Sequence, residues 1–397
     1  ASQTPFPNSL TWQQVPAKPH QANPWQRHVF ADRDAPGGSH YTGFGDINAD
    51  GRPDICCAAK GGTKFPGGEW FAWWEQPKES GKPCTRHLLA EGQVGATNIQ
   101  PVDLNGDGIL DFAATRGHGK GVLWFRGPDF KLLEIDSDIE GPHSLALADL
   151  DQDNDVDIVT CGHTTTGMAV WYENNGAADP SWSAANIATS ADGATSVFVA
   201  DMDNDGDMDI VSASFNDDAI AWYENNGAAD PSFSATDIAT SADGAKSVFV
   251  ADMDKDGDLD IISTAQKDDT VAWYENGLSA LANNIFTAAD IATNADGARS
   301  VFAIDLDKDG DLDVLSASEL DNKIAWYENN GSQSFTFRAI TTSANGASSV
   351  YAIDLDGDGD IDILSASAGD DKIAWYENNG SQAFTACLLY TSPSPRD

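Results

Sequence analysis

An aspartate-rich nonapeptide, D-x-[DN]-x-D-[GN]-x-x-D, recurs seven times in this chain. Its copies begin at Asp46, Asp103, Asp149, Asp201, Asp252, Asp305 and Asp354, at intervals of 46 to 57 residues. No other feature constrains the fold as strongly. A unit of this period that runs through the chain cannot bury both its faces alone and must stack against copies of itself.

Within the motif, carboxylates at alternate positions of a tight turn converge on one point, which suits a hard cation held by oxygen. The side chains expected to ligate stand at positions 1, 3, 5 and 9. In the first three copies these are Asp46, Asn48, Asp50 and Asp54; Asp103, Asn105, Asp107 and Asp111; and Asp149, Asp151, Asp153 and Asp157. The fourth and fifth supply Asp201, Asp203, Asp205 and Asp209, then Asp252, Asp254, Asp256 and Asp260. The last two supply Asp305, Asp307, Asp309 and Asp313, then Asp354, Asp356, Asp358 and Asp362. Position 7 should offer its backbone carbonyl, so its side chain is free to vary, and Arg52 and Ile109 stand there in the first two copies. Position 6 is glycine except at Asn154, as a turn with positive φ requires. The expected ion is Ca²⁺, about one per repeat, rather than Mg²⁺ with its rigid octahedron and retained water. These are not EF-hands, because positions 10 to 12 are β-prone (Ile210, Val211, Ser212) where that loop would end in glutamate.

The charge follows from the loops. The chain carries 63 acidic and 22 basic residues, a formal net charge of −41, and the seven loops hold about half of the acids. Without metal they would repel themselves, so folding should depend on calcium. So acidic a chain is a poor partner for nucleic acid or an anionic membrane surface. No apolar run approaches the ~20 residues needed for membrane insertion as a helix. Five cysteines, Cys56, Cys57, Cys84, Cys161 and Cys387, show neither metal-type spacing nor an even framework, and read as small buried residues. Many oxygen sites filled together imply a calcium-rich medium, so the expected location is extracellular, secreted or on the cell surface. The absence of a signal peptide and a start at Ala1 fit a processed or trimmed form.

Around each loop the pattern repeats. In the fourth copy an apolar strand over 196–200 enters the loop, a second over 209–214 leaves it, a third ends at 221–225, and a fourth covers 233–240. Four short strands per unit predict an all-β fold, a β-propeller of seven four-stranded blades. The DxDxDGDxDI loop with its WYEN strand resembles the FG-GAP/VCBS repeat family, calcium-binding propeller blades also seen in the integrin α-subunit head. The resemblance covers about residues 25–385 and implies the fold and calcium. It leaves function open, since such propellers serve adhesion, sugar binding, lyase chemistry and structure. The recurrent Trp171, Trp222, Trp273, Trp326 and Trp375 read as core rather than sugar platforms. The domain reading is an extension over 1–24, the propeller over 25–386, and a tail over 387–397 that resembles a translated sequencing adapter, with the native chain continuing beyond. The segment from Trp25 to Phe30 resembles a fourth strand that would close the last blade. Phe384 and Thr385 begin a rival strand, so an eighth blade stays open.

Function should lie where the repeat varies. Six residues before each loop stand His40, Thr97, His143, Thr195, Lys246, Arg299 and Ser348, polar or basic amid fixed neighbours. The turns between second and third strands, expected on the same face, are short and acidic in blades 4 to 7. In blades 1 to 3 they carry Lys60, Lys64, Arg116, His118, Lys120, His163 and Thr164 to Thr166. The expected ligand-binding set is His40, Arg116, His118, Lys120, His143 and His163. Its expected partner is an acidic polysaccharide or an extracellular protein, met through charge-assisted hydrogen bonds. The leading reading is a secreted, calcium-stabilised binding or adhesion module rather than an enzyme. A polysaccharide lyase using His40, Tyr41, Arg116, His143 and His163, and a structural unit of an extracellular filament or coat, are the alternatives. Two sequons, at Asn330 and Asn379, fall on the opposite face and would make the protein a glycoprotein.

Overall fold

The computed structural model describes residues 10–14, 26–31, 34–63, 65–78, 84–163, 167–279, 283–355, 358–370 and 372–391. Among these residues every regular element is a strand. Seven four-stranded antiparallel sheets follow one another along the chain, each with its strands in sequence order. This is the all-β propeller architecture with seven blades, spanning 38–91, 98–140, 142–188, 194–239, 245–292, 298–341 and 347–391. The chain divides into two compact units. One holds residues 27–199 with 225–234, and the other holds 200–224 with 235–397.

The second strand of each blade starts on the position-9 aspartate of its loop, as in Asp157–Gly162, Asp209–Ser214 and Asp260–Ala265, and in blades 2 to 6 it is buried along its whole length. Both its faces are covered, so it reads as a continuous apolar and small-residue run instead of alternating. Fourth strands such as Phe233–Ala239 are largely exposed. The third-strand tryptophans are core, as expected: Trp171, Trp222, Trp273, Trp326 and Trp375 are all buried. Each of the first four packs edge-on against a phenylalanine from the fourth strand of the next blade, Trp171 on Phe233 at 6.0 Å and Trp273 on Phe335 at 6.1 Å. Cys56, Cys57 and Cys161 are buried thiols, Cys84 is half-buried, and none of the four is in a disulfide.

The asparagine that ends the third strand ties neighbouring blades. Asn276 Nδ2 donates to the Met202 carbonyl in the preceding blade's loop at 2.8 Å and to Leu259 O in its own loop at 3.1 Å. Asn174 does the same with Leu104 and Val156, and Asn329 with Met253 and Leu312. This accounts for the asparagine that ends the WYEN strand in blades 3 to 7, where blades 1 and 2 carry Gln76 and Gly127 instead.

One expectation fails. Gln26–Ala31 pairs with Leu10–Gln14 in a separate two-stranded sheet, and the fourth strand of blade 7 is Phe384–Thr391. The physical reason is locality. The 384–391 strand follows its partner, Lys372–Asn378, across a short Asn-Gly turn, whereas the N-terminal segment would have to close a loop of most of the chain. Trp25 lies outside the described residues.

Replacing Asn276 with Ala should destabilise the protein by about 2–3 kcal/mol, because a buried and a part-buried carbonyl lose their donor at once. Replacing Asn226, exposed in the turn after the third strand of blade 4, should change stability by less than about 1 kcal/mol. Chemical denaturation of the two variants checks this.

Candidate functional site

The aspartate loops come first. The position-1 carboxylate accepts backbone N–H groups from positions 5 and 6: Asp50 N and Gly51 N reach Asp46 at 2.8 Å each, and Asp205 N and Gly206 N reach Asp201 at 3.1 and 3.0 Å. The position-3 oxygen accepts the position-5 N–H, and Asn48 and Asn105 do this as Asp203 does. Position 6 has positive φ in the loops, including 72° at Asn154. Position 4 is left-handed too, at Ala49, Gly106, Gln152, Asn204, Lys255 and Lys308, which the sequence did not signal at the alanine, glutamine and lysine positions. Position 7 also differs from expectation. Its side chain is used between blades: Lys255 Nζ meets Asp311 at 2.6 Å and Lys308 Nζ meets Asp360 at 2.8 Å.

These turns draw carboxylates together. Ligand oxygens of Asp149, Asp151 and Asp157 lie within 4.8 Å of one another, as do those of Asp201, Asp203 and Asp209, of Asp252, Asp254 and Asp256, and of Asp305, Asp307 and Asp309. In the fifth and sixth loops the Oδ1 atoms of Asp252 and Asp305 are buried without a hydrogen-bond donor. A hard cation would satisfy them, so the donor set fits the expected ion. Asp356 of the seventh loop lies outside the described residues.

Position 9 has a further role. Its carboxylate is fully buried at Asp54, Asp111, Asp157, Asp209, Asp260, Asp313 and Asp362. One oxygen of Asp260 accepts the Met253 N–H at 3.0 Å and the other the Asn276 N–H at 2.7 Å. The same pair of bonds joins Asp157 to Leu150 and Asn174, and Asp313 to Leu306 and Asn329. Position 9 therefore holds its loop to the end of the third strand. Burial pushes the carboxyls of Asp157, Asp260 and Asp313 up to about 7, against the lowering effect of those N–H groups.

The second feature is a histidine cluster. His40 lies in Gly38–Gly45 of blade 1, His143 in Pro142–Ala148 of blade 3, and His118 in the turn between the second and third strands of blade 2. In blade 1 the register shifts between Ser39 and Thr42, and in blade 3 between Pro142 and Ser144. Both histidines thus occupy a β-bulge, a device that re-aims a side chain. The same bulge carries Lys246, Arg299 and Ser348 in blades 5 to 7, which explains why this position varies. His118 is set by glycines. A Cβ on Gly117 would stand 2.7 Å from His143 Cα, and one on Gly95, at φ +80°, 2.3 Å from Gly119 N.

The ring centroids of His40, His118 and His143 lie 5.0, 5.0 and 5.2 Å apart pairwise. His118 Nε2 is 3.1 Å from His40 Nε2, and Lys60 Nζ is 3.3 Å from the same His118 atom. Tyr41 and His163 flank His143, with ring centroids at 5.8 and 5.6 Å. Desolvation, with the nearby Lys60 and His163, holds the His118 imidazole down at about 4, so its ring is neutral at physiological pH. Beside the cluster opens a cleft of about 440 Å³ lined by Lys60, Thr63, Phe65, Glu69, Val94 and His118.

Two expected members stand elsewhere. Arg116 is spent on Gln93 Oε1 at 2.6 Å and on Glu134 at 3.0 Å, and Lys120 on Glu140 at 2.5 Å. Both line a separate shallow cleft of about 390 Å³. Lys64 and Thr164 to Thr166 lie outside the described residues. In blade 6 the bulge cation is also paired, Arg299 with Glu319 at 3.1 Å. Asn330 and Asn379 are exposed. The sequence reading missed a larger cleft, about 900 Å³, between the loops of blades 1 and 2, where His87 stacks on Trp73 at 4.1 Å and meets Glu75 at 3.1 Å. Its one signal was apolar Ile109 at a loop position that is acidic in five other copies.

Seven FG-GAP-like repeats match the chain, over residues 46–114, 103–160, 149–212, 203–263, 256–316, 305–365 and 354–395. The chain belongs to this repeat family. No curated protein matches it. Among solved structures it is similar to an Agrocybe aegerita lectin described as recognising non-reducing terminal N-acetylglucosamine. The TM-score is 0.50 and the identity 19%, over 81% of this chain and 88% of that one. A functionally unknown protein from Desulfotomaculum acetoxidans is similar at a TM-score of 0.48 and 12% identity, over 69% of this chain and 77% of that one. At such identities the likeness concerns the fold.

The buried position-9 carboxyls have a folded pKa above their unfolded value, so in metal-free protein they favour folding when protonated and oppose it as pH rises through about 7. In excess chelator the melting temperature should therefore rise on acidification from about pH 8 to about pH 5.5. A melting temperature that falls over this range in chelator would contradict the assignment.

Proposed function

We propose that this protein is an extracellular, calcium-stabilised propeller that binds carbohydrate through the histidine-bearing face of blades 1 to 3. The observation that carries the reading is the convergence of His40, Tyr41, His118, His143 and Lys60 beside a cleft whose wall includes Phe65. Imidazole and phenol groups both donate and accept hydrogen bonds, and planar rings give apolar contact, which together suit a polyhydroxylated ring. The lectin among the structural neighbours, recognising a terminal N-acetylglucosamine, supports the class of ligand.

The pairing of Arg116 and Lys120 with glutamates changes the finer expectation. Those cations are neutralised within their own blade, and His118 is neutral at pH 7. The face therefore reads hydroxyl groups more than fixed anions. Calcium enters as scaffold: about one ion in each loop, on the oxygens of positions 1, 3 and 5 with position 9 beneath them. A lyase reading retains His40, Tyr41 and His143 in mutual contact, but its proposed cation, Arg116, is engaged with Gln93 and Glu134.

Glycan-array binding in calcium tests the reading. Tyr41→Ala and His40→Ala should each weaken binding about tenfold or more, the effect of losing one or two hydrogen bonds with their packing. Arg116→Ala with Lys120→Ala should leave it within about threefold, since both cations are paired within blade 2 and line a separate cleft. Binding that survives at His40 and Tyr41 but is lost on changing Lys246 or Arg299 would place the ligand elsewhere. Release of a conjugated, ultraviolet-absorbing double bond from a uronic-acid polymer would favour the lyase.

A further inference from the structure

We propose that His40, His118 and His143 form a binding site for a transition-metal ion of the Zn²⁺ type, where blades 1, 2 and 3 present one imidazole each. Their ligand nitrogens all lie within 4.8 Å of one another. In a tetrahedral site with Zn–N bonds of about 2.0–2.1 Å, neighbouring ligand nitrogens stand about 3.3 Å apart. The His40 and His118 Nε2 atoms are already 3.1 Å apart, so this edge of the polyhedron is in place. The three rings are not stacked. Their planes meet at 64°, 81° and 88°, so they stand splayed, as ligands around one centre do.

The placement is built in by the backbone. His40 and His143 come from bulges in the first strands of two blades, and their backbones are fixed by the ladder on either side. His118 reaches them because Gly117 lets its turn approach the His143 backbone more closely than any Cβ would permit. The Tyr41 N–H donates to Thr97 O at 3.2 Å, and the His118 N–H to Gly95 O at 3.1 Å, so these segments are tied to their surroundings before any ion arrives.

Chemistry separates this site from the loops. Three imidazoles suit Zn²⁺, Cu²⁺ or Ni²⁺, whereas Ca²⁺ seeks oxygen. Calcium in the loops and a transition metal on the histidines need not compete. His118 is exposed, so a coordination position faces solvent, with Tyr41 and His163 beside it. The ammonium of Lys60, 3.3 Å from His118 Nε2, is the competitor. It holds the lone pair an ion would take, and must swing away on its flexible stem before the ion enters.

The test uses the whole 397-residue chain saturated with calcium, titrated with Zn²⁺ by calorimetry and with Co²⁺ by visible absorption. The expected result is one equivalent bound beyond calcium, with Co²⁺ giving the bands of a nitrogen-ligated, low-coordinate ion. His118→Ala and His143→Ala should each weaken binding by roughly a hundredfold or more, since a direct ligand matters at least as much as its supporting partners. Lys60→Met should tighten it about five- to tenfold, as one like charge is removed from close range. His87→Ala, in the other cleft, should change nothing. Melting curves in calcium establish that each variant is folded. No uptake of Zn²⁺ or Co²⁺ at micromolar concentrations would overturn the proposal, as would uptake undiminished in the His118→Ala, His143→Ala double variant. The readout involves no glycan, so its outcome is independent of the proposed carbohydrate binding.

Discussion

Each blade depends on one buried carboxylate. The position-9 aspartate receives the N–H of its own loop and the N–H that ends the third strand, and so locks a metal-type turn onto a hairpin. Its burial carries an energetic penalty that two N–H donors offset only in part, which is why three of these groups stand near neutrality in metal-free protein. Above each one lie further carboxylates, in an acidic chain of net charge −41. A divalent ion at each loop would convert this repulsion into attraction and complete oxygens that have no donor at Asp252 and Asp305.

The scaffold and the candidate site use the repeat in opposite ways. Scaffold contacts recur: the asparagine tie and the Trp–Phe edge contact through blades 3 to 6, and the loop bonds to position 1 from the first loop onward. The site is made of departures from the repeat. The first-strand bulge occurs in most blades, but histidine fills it only in blades 1 and 3, and a glycine-rich turn brings a third histidine from blade 2. In blades 5 to 7 the same bulge holds Lys246, Arg299 and Ser348, so one backbone device presents different chemistry around the fold.

Much of this was legible in the sequence because the repeat makes seven measurements of each position. The strand count, the glycine of the loops and the core role of the tryptophans are all visible as recurrence. So is the face proposed for binding, since variation at His40, Thr97 and His143 stands out against constant neighbours. What stayed hidden depends on single contacts between distant residues. Nothing in the local sequence says that Arg116 turns to Gln93 and Glu134 rather than to a ligand. Nor does it say that the bulge brings His40 to within 3.1 Å of a residue 78 positions away. The left-handed position 4 was silent because lysine, alanine and glutamine give no sign of positive φ. The terminal strand was misplaced because edge strands of similar pattern are interchangeable on paper, and only chain locality separates them.

The central claim is that the seven loops are cation sites on which the fold depends. The direct measurement is calcium stoichiometry by equilibrium dialysis, with melting curves of the same samples in calcium and in chelator. The account predicts about one ion per loop, and a melting temperature that falls steeply when the ion is removed. A chain that binds no calcium and melts at the same temperature in chelator would contradict it.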